Sequence, residues 1–396
     1  MVYNRILGSA TVPSASPSRD RLPSLTGLRF WAALVVVLYH LSRGVGEIPG
    51  ISQTVWYGRS GVTFFFVLSG FVLAWTYDGN RVPVRVFLWR RFARIWPLFA
   101  LTTALSVVVW LVFGNPVSKK AVAVSFTLLH AWVLDPVIAK GGNPAGWSLS
   151  DEAFFYVCFP LLLAMLAGRT PRTWLAVACG VFAATLAVWV LASQIADPTT
   201  RSLTLDYLPA TRILQFILGI VAGLAVKRGW RPPVSLPVAA LLVLGWHLAL
   251  IPWSDAVSDR EWYGAYSASQ LLAGPVFALL VASAAHADVH NLRTTLSGPW
   301  MVRLGHWSFA WYLVHEIVIR IVLGTAGRPD PDSLPAIAAT WLVILVTSQV
   351  LAGILYVYVE RPAERAIRRL GPGGSSTRRL RQSRQSEQRD STLSGG

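Results

Sequence analysis

Two ionisable side chains interrupt the first long apolar segment of the sequence, GLRFWAALVVVLYHLS at residues 27–42. They are Arg29 and His40, and their spacing of eleven residues is close to three full turns of a helix. Both would therefore lie on one helix face, about 16 Å apart along the axis. A histidine titrates near neutrality and is suited to act as a general base. The alternative is a snorkelling arginine with an interfacial Tyr39–His40 pair.

A cluster of arginines follows in the segment RVPVRVFLWRRFARIWP, residues 81–97. Arg90, Arg91 and Arg94 can lie together on a helix among apolar residues. Arginine binds phosphate oxygens in a bidentate way, so the cluster is a candidate clamp for a polyphosphate. A helix at the lipid interface, held by anionic headgroups, would show the same pattern, and the two interpretations are compatible.

Acidic residues open another apolar segment, WSLSDEAFFYVCFP at residues 147–160. Asp151 and Glu152 fall in the first turns of the predicted helix, where the helix dipole favours acids, and Ser148 could cap it. A carboxylate facing the bundle could instead orient His40 or an acceptor hydroxyl.

Two further segments carry polar groups within apolar sequence. GVTFFFVLSGF at residues 61–71 contains Ser69, a candidate nucleophile beside which the sequence places no base, and its Ser-Gly pair favours close helix packing. GHWSFAWYLVHEIVI at residues 305–319 places His315 and Glu316 in the middle of a span, where ionisable groups are costly and indicate function.

These residues must be positioned by membrane helices. The composition is 54% hydrophobic and 14% charged, and apolar runs of membrane-spanning length recur along all 396 residues. The net charge of +16 comes from basic residues between the apolar runs. Such basic loops set the orientation of a membrane protein in the bilayer, and no nucleic-acid partner is predicted. Cys158 and Cys179 lie in apolar runs, so both are predicted to be small buried hydrophobic residues. No metal-binding residues are predicted.

The sequence predicts an all-α polytopic membrane protein with about ten spans. They are residues 26–43, 60–77, 96–113, 149–167, 173–194, 208–226, 234–252, 267–287, 307–324 and 335–359. Residues 121–134 are apolar but short, and suit a re-entrant or half-buried helix. If this segment is not a span, the ten spans place most Lys and Arg residues on the same side of the membrane as the two termini. Basic residues are enriched on the cytoplasmic side of membrane proteins, so both termini are predicted to be cytoplasmic.

The predicted membrane domain, residues 23–366, lies between two polar segments. Residues 1–22, which lack the pattern of a cleavable signal peptide, and residues 367–396 are predicted to be disordered and cytoplasmic. Arg212 lies near the end of a span, so it either has a functional role or extends its charged group to the membrane interface. For Arg320 we expect the second, snorkelling, arrangement.

Taken in order, these motifs resemble the acyltransferase family 3 membrane O-acyltransferases. The series is Arg29-x10-His40, GVTFFFVLSGF, Arg91-x-x-Arg94 with IWP, WSLSDE, YLVH and a closing YVYVERP at 356–362. The resemblance covers about residues 22–366, and the ordered series is what makes it specific. This chain departs from the family where Thr63 replaces an acid that members often carry.

The resemblance implies transfer of an acyl group from acyl-CoA, a co-substrate and not a bound cofactor, to a hydroxyl. It implies that His40 is the catalytic base, that Arg29 helps to hold the donor or the site, and that Arg91 and Arg94 lie near the CoA entrance. Trp147, Ser148, Glu152 and His315 match family motifs. Glu152 is predicted to be catalytic. The predicted substrate contacts are Trp147, Ser148, Ser69 and His315, and Arg90 is predicted to contact acyl-CoA together with Arg91 and Arg94.

The opening PSLTGLRFWAAL is also similar to actinobacterial members that acylate macrolides or their sugars. This points to a sugar, macrolide or other secondary-metabolite hydroxyl, in a multi-pass protein of the plasma membrane. The rival class is a transporter or channel whose buried Arg, His and Glu line a solute or proton path. The sequence shows no internal repeat of the kind common in transporters.

Overall fold

The computed structural model describes residues 22–256 and 265–372, and within these ranges it consists of helices joined by short loops. The predicted disorder of residues 1–21 and 373–396 lies outside the described residues. The longer helices are α1 (Pro23–Gly44), α2 (Gly61–Tyr77), α3 (Val84–Val112), α4 (Trp147–Leu166), α5 (Pro171–Ala192), α6 (Pro209–Lys227), α7 (Leu236–Ala256), α8 (Gly274–Val289), α9 (Pro299–Ala326), α10 (Leu334–Leu355) and α11 (Arg361–Leu370).

Proline sets the start of several of these helices. Pro23, Pro171, Pro209 and Pro299 each occupy the first turn, where the missing N–H costs no hydrogen bond and the fixed φ suits the helix. The Thr170 side chain also accepts a hydrogen bond from the Thr173 backbone and caps α5. At Pro23, Pro171 and Pro209 the helices begin within three residues of the predicted spans, whereas the helix at Pro299 begins well before its predicted start at residue 307.

Nine helices of the described ranges are long and apolar enough to cross a membrane, which makes the chain a polytopic membrane protein. They coincide with nine of the ten predicted spans. The tenth prediction, residues 234–252, falls on a shorter apolar stretch, Leu236–Pro252 of α7. Residues 121–134 do not form a span: they contain a short helix, Lys119–Phe126, and a 3₁₀ turn, His130–Trp132.

Two helices begin earlier than their predicted spans. Helix α3 begins at Val84, so the basic segment that was predicted to precede the span is part of one continuous 29-residue helix. Helix α9 begins at Pro299, before the predicted start at residue 307. Helix α11 ends at Leu370, just before residues 371–396, the low-complexity part of the tail. Cys179 is exposed on α5 and Cys158 is half-buried; both are free thiols, and the prediction that both are buried is wrong.

Close backbone contacts hold the centre of the bundle together. Helices α2 and α6 cross where Gly70 faces the carbonyl of Phe216 and Gly219 faces the carbonyl of Val67. A Cβ added at Gly219 would stand 1.9 Å from that carbonyl oxygen. Small residues allow membrane helices to approach this closely. By contrast, α5 and α10 bury little of their surface and lie at the periphery.

A second close contact joins α1 to α9 near their N-terminal ends. A Cβ added at Gly305 would stand 1.8 Å from the backbone oxygen of Thr26. The two helices run in the same direction, because residues early in α1 face residues early in α9 here, and His40 meets Glu316 near their other ends. This parallel pair positions most of the candidate site.

We predict that Gly219→Ala destabilises the fold, because the new methyl group forces α2 and α6 apart; overpacking of this kind costs about 1–3 kcal/mol. Thermal unfolding in detergent should show a clear drop in Tm. Gly180→Ala is the matched control, since nothing lies within 4 Å of its added Cβ and alanine favours the helix. An equal Tm for the two variants would contradict the packing argument.

Candidate active site

Three cavities lie along the α1–α9 pair. The arginine cavity, about 250 Å³, is lined by residues that include Arg29, Ser69, Arg91, Arg94, Ser148, Glu152, Tyr156, Ser308, Phe309 and Tyr312. The histidine cavity, about 300 Å³, is lined by residues that include Tyr39, His40, Arg43, Arg59, Lys140, Ser202, Tyr207, Tyr266 and Glu316. The apolar chamber, about 630 Å³, is lined mainly by residues of α3 and of the loop before α4.

One face of α9 passes all three cavities in order. Phe309 and Tyr312 line the arginine cavity, Glu316 lines the histidine cavity, and Arg320 lines the apolar chamber. Steps of three and four residues keep these side chains on one side of the helix. Arg29 and His40, as their spacing predicts, line successive cavities along α1.

His40 is paired with a carboxylate. Its Nδ1 lies 2.5 Å from Oε1 of Glu316, and the two side chains are 30% and 17% exposed, so the imidazole is accessible from the cavity while the carboxylate is largely shielded. A carboxylate on Nδ1 favours the proton there and leaves Nε2 as the acceptor. The sequence offered a carboxylate of Asp151 or Glu152 as the group that orients His40; the structure gives that contact to Glu316, whereas Glu152 lies in the arginine cavity.

His315 stands behind this pair and is fully buried. Its ring centroid is 5.0 Å from that of His40, and its Nδ1 is 2.7 Å from the backbone oxygen of Tyr312, to which it donates. The ring therefore joins the Tyr312 wall of the arginine cavity to the histidine cavity. Ligand atoms of His40, His315 and Glu316 lie within 4.8 Å of one another, and these are donor types that zinc accepts.

The arginine cavity combines three guanidinium groups with two carboxylates. Arg94 forms a hydrogen-bonded ion pair with Glu360, which is almost fully buried, and a longer one of 3.4 Å with Glu364. Glu360 ends a five-residue π-helix, Tyr356–Glu360, that joins α10 to α11. Arg29 lines the same cavity as Arg94 and Glu152.

The remaining polar groups of this cavity form short links between helices. Tyr156 donates to Glu152 across 3.1 Å, and the hydroxyls of Ser148 and Tyr312 are 2.9 Å apart. Arg91 lies against the rings of Tyr77, Phe87 and Tyr156 and donates to the Tyr77 hydroxyl across 3.4 Å. Its Nε is buried without a hydrogen-bond partner in the described part of the chain.

The structure separates three of the predicted site residues from the linings of these cavities: Arg90, Trp147 and His315, which packs behind the His40–Glu316 pair. Arg90 is exposed on α3 and does not line the arginine cavity. Trp147 is buried beside the histidine cavity, with the Arg59 guanidinium 5.0 Å from the centre of its ring and Tyr207 edge-on at 4.8 Å. Its role is therefore to support Arg59, which itself lines the histidine cavity.

Sequence reasoning missed a buried charge network between the cavities. Arg212 is completely buried, so the snorkelling alternative is wrong; it donates to Thr63 across 2.7 Å, while its Nε and Nη1 have no hydrogen-bond partner among the described residues. Arg59 pairs with Asp206 across 3.7 Å. Thr63 takes the place of an acid, and the negative charges come instead from Asp151 and Asp206. In the sequence, this network is indicated only by the presence of charged residues within or next to the predicted spans.

Burial changes the pKa values of two basic side chains outside the spans, His130 and Lys140. Burial lowers the pKa of His130 to about 4, and its ring stacks on Phe99. Desolvation in the cavity wall, together with the positive charge of Arg59, lowers the pKa of Lys140 below its usual value. His130 is therefore neutral at physiological pH.

The fold and the site define a multi-pass membrane protein with a His–Glu pair next to a cavity lined by arginine and glutamate. A model of an acyltransferase domain matches residues 22–359, and the chain belongs to this family, acyltransferase family 3. No solved structure gives a significant match. The family and its named relatives support an O-acyltransferase.

Three curated relatives cover most of the chain. Acyltransferase MdmB of Streptomyces mycarofaciens is 33% identical over 90% of this chain and 95% of its own length. The exopolysaccharide production protein ExoZ of Rhizobium meliloti is 29% identical over 77% and 89%. The O-acetyltransferase OatA of Staphylococcus aureus is 21% identical over 86% of this chain and 57% of its own length.

We predict that Glu360→Gln destabilises the protein by about 3 kcal/mol, because it leaves the guanidinium of Arg94 without its buried partner. Glu364→Gln is the matched control: its contact with Arg94 is longer and more exposed, and should be worth less than about 1 kcal/mol. Thermal unfolding in detergent measures both. A smaller loss for Glu360→Gln than for Glu364→Gln would contradict the assignment.

Stability should also depend on pH through His130. The unfolded histidine has a pKa near 6.5, so between about pH 6.5 and 4 only the unfolded chain binds the proton. The stabilising effect is full above that range and is lost as the pH falls, by about 2 kcal/mol at pH 5. Thermal unfolding from pH 7.5 to 5 should show a flatter slope for His130→Phe, while exposed His290→Phe keeps the wild-type slope.

Proposed function

We propose that the protein transfers an acetyl or other short acyl group from acyl-CoA to a hydroxyl of a sugar, macrolide or other secondary-metabolite acceptor. The observation that carries this proposal is the contact of 2.5 Å between His40 Nδ1 and Glu316 Oε1. A histidine whose Nδ1 proton is held by a carboxylate presents a free Nε2 lone pair, the arrangement of a general base.

The arginine cavity is the proposed donor site. Its volume of about 250 Å³ suits the narrow thioester arm of acyl-CoA better than the bulky nucleotide. The phosphates would then stay at the mouth, near Arg91, Arg94 and the exposed Arg90 of the same helix, because guanidinium groups bind phosphate oxygens in a bidentate way. Arg29 lies deeper, on the helix that leads to His40, and helps to hold the arm.

The histidine cavity is the proposed acceptor site. Its walls offer hydroxyl groups from Tyr39, Tyr207 and Tyr266, together with the charged groups of Arg43 and Lys140. Such groups can hydrogen-bond the several hydroxyls of a sugar. The cavity lies at the opposite end of α1 from Arg29, so donor and acceptor enter from different directions. With the termini in the cytoplasm, acyl-CoA comes from the cytoplasm of a cell whose plasma membrane holds the enzyme.

The reaction needs no acyl-enzyme. His40 Nε2 takes the proton of the acceptor hydroxyl as its oxygen attacks the thioester carbon. The new C–O bond forms, the C–S bond breaks, and the proton on His40 passes to the departing CoA sulfur. Glu316 stabilises the imidazolium formed in between, and the proton transfer is worth about 10²–10⁴-fold in rate. Glu152 and Glu360 balance the charge of the arginines around the donor.

We predict that His40→Ala lowers kcat by about 10²–10⁴-fold, because the general base is lost, while acyl-CoA still binds. Glu316→Gln keeps a hydrogen-bond acceptor for Nδ1 but removes the charge that stabilises the imidazolium, so kcat should fall while both KM values stay unchanged. Exposed His290→Ala is the control. The measurement is acceptor-dependent CoA release by purified protein, with acetyl- and propionyl-CoA and a panel of macrolides and sugars.

Two outcomes would overturn this proposal. Normal turnover by His40→Ala would remove the base mechanism, and loss of activity after treatment with EDTA would replace it with a metal-dependent one. Flux of a solute or protons through reconstituted vesicles, with no CoA release, would support the transporter or channel class instead. Arg91→Ala separates donor from acceptor effects, since it should raise the KM for acyl-CoA alone.

A further inference from the structure

The apolar chamber is the largest of the three cavities, at about 630 Å³, and the catalytic proposal does not use it. It lies between the C-terminal half of α3 and the short helices before α4. Its walls include Val107, Trp110, Val122 and Val137, with Lys140 and Arg320 at its border. Small-molecule sites typically enclose about 300–1,000 Å³ and are lined mainly by apolar side chains with a few polar groups.

The chamber adjoins the histidine cavity. Lys140 lines both spaces, and Arg320 follows Glu316 by one turn on the same face of α9. The Arg320 guanidinium lies 3.8 Å from the ring centre of Trp110, which ties α9 to α3 at this border. A molecule with its hydroxyl at His40 could therefore extend past Lys140 into the chamber.

The two spaces differ in chemistry. The histidine cavity is lined by tyrosine hydroxyls, Ser202 and charged groups, whereas valine, proline and alanine side chains dominate the chamber. A free oligosaccharide would satisfy its hydroxyls in the first space but would lose their hydration in the second. An apolar body gains from leaving water there.

We propose that the apolar chamber binds the apolar body of an amphipathic acceptor whose hydroxyl-bearing part lies in the histidine cavity. This inference rests on the proposed function and narrows its acceptor to glycosides or similar molecules with a bulky apolar portion. Lys140, at the junction, donates hydrogen bonds to oxygens that connect the two portions. Among the described residues that line either space, Glu316 is the only acid, and these residues favour neutral over cationic groups.

The experiment compares two acceptors that carry one sugar: a glycosylated macrolide and the methyl glycoside of that sugar. Purified full-length protein receives acetyl-CoA and either acceptor, and equilibrium binding of the macrolide is measured separately by calorimetry. The wild type should show a KM for the macrolide at least tenfold below that for the methyl glycoside.

Chamber-filling variants test the location. Val107→Phe should raise the KM and the Kd for the macrolide at least tenfold, because the ring occupies the chamber, and should leave the KM values for the methyl glycoside and acetyl-CoA within twofold. Val108→Phe is the control, since its side chain is on the same helix but is exposed outside the chamber. Val122→Phe repeats the test from the short helix in case Val107→Phe fails to fold.

The outcomes distinguish this inference from the function on which it rests. Macrolide binding that is weakened by Val107→Phe, without CoA release, would overturn the proposed reaction and keep the chamber as a binding site. CoA release with equal KM values for Val107→Phe and Val108→Phe would keep the reaction and overturn the chamber. Failure of the macrolide to bind, as expected if a membrane lipid occupies the chamber, would also overturn it.

Discussion

The parallel pairing of α1 and α9 is the constraint on which the site depends. Gly305 lets the two backbones touch at Thr26, and His40 meets Glu316 about three turns later. Because both helices rise by the same amount per residue, a contact fixed at one end sets the register at the other. A larger residue at Gly305 would therefore disturb a hydrogen bond that lies far along the pair. The donor and acceptor cavities are arranged along this register.

The buried charges around the pair explain how so polar a site persists within a membrane bundle. Arg94 is matched by Glu360 and Arg59 by Asp206, and Arg212 donates a hydrogen bond to Thr63. Each guanidinium is supplied by one helix and its partner by another. A charge without a partner would be costly in this environment, so the network also restricts how the helices can pack.

The sequence was sufficient to predict the spans, because apolar length is a property of each segment by itself. The spacing of Arg29 and His40 predicted successive positions on one face, and Arg91 and Arg94 do line a common cavity with Arg29. The partners could not be predicted in the same way. The sequence pointed to Asp151 or Glu152 as the carboxylate that orients His40, but Glu316 meets it, because this contact depends on how helices distant in sequence pack and helical periodicity contains no such information. The burial of Arg212 was missed for the same reason.

The partition between the arginine and histidine cavities has a consequence for the cell. It consists of Phe65, Tyr312 and His315, with the Phe65 and Tyr312 ring centres 6.3 Å apart and His315 fully buried. Two water-accessible hollows that approach each other from opposite ends of a membrane protein would leak ions if they joined. Packed rings keep water out of the space between the two cavities and so oppose ion leakage across the bilayer, and the proposed reaction requires the acyl group to pass the edge of these rings.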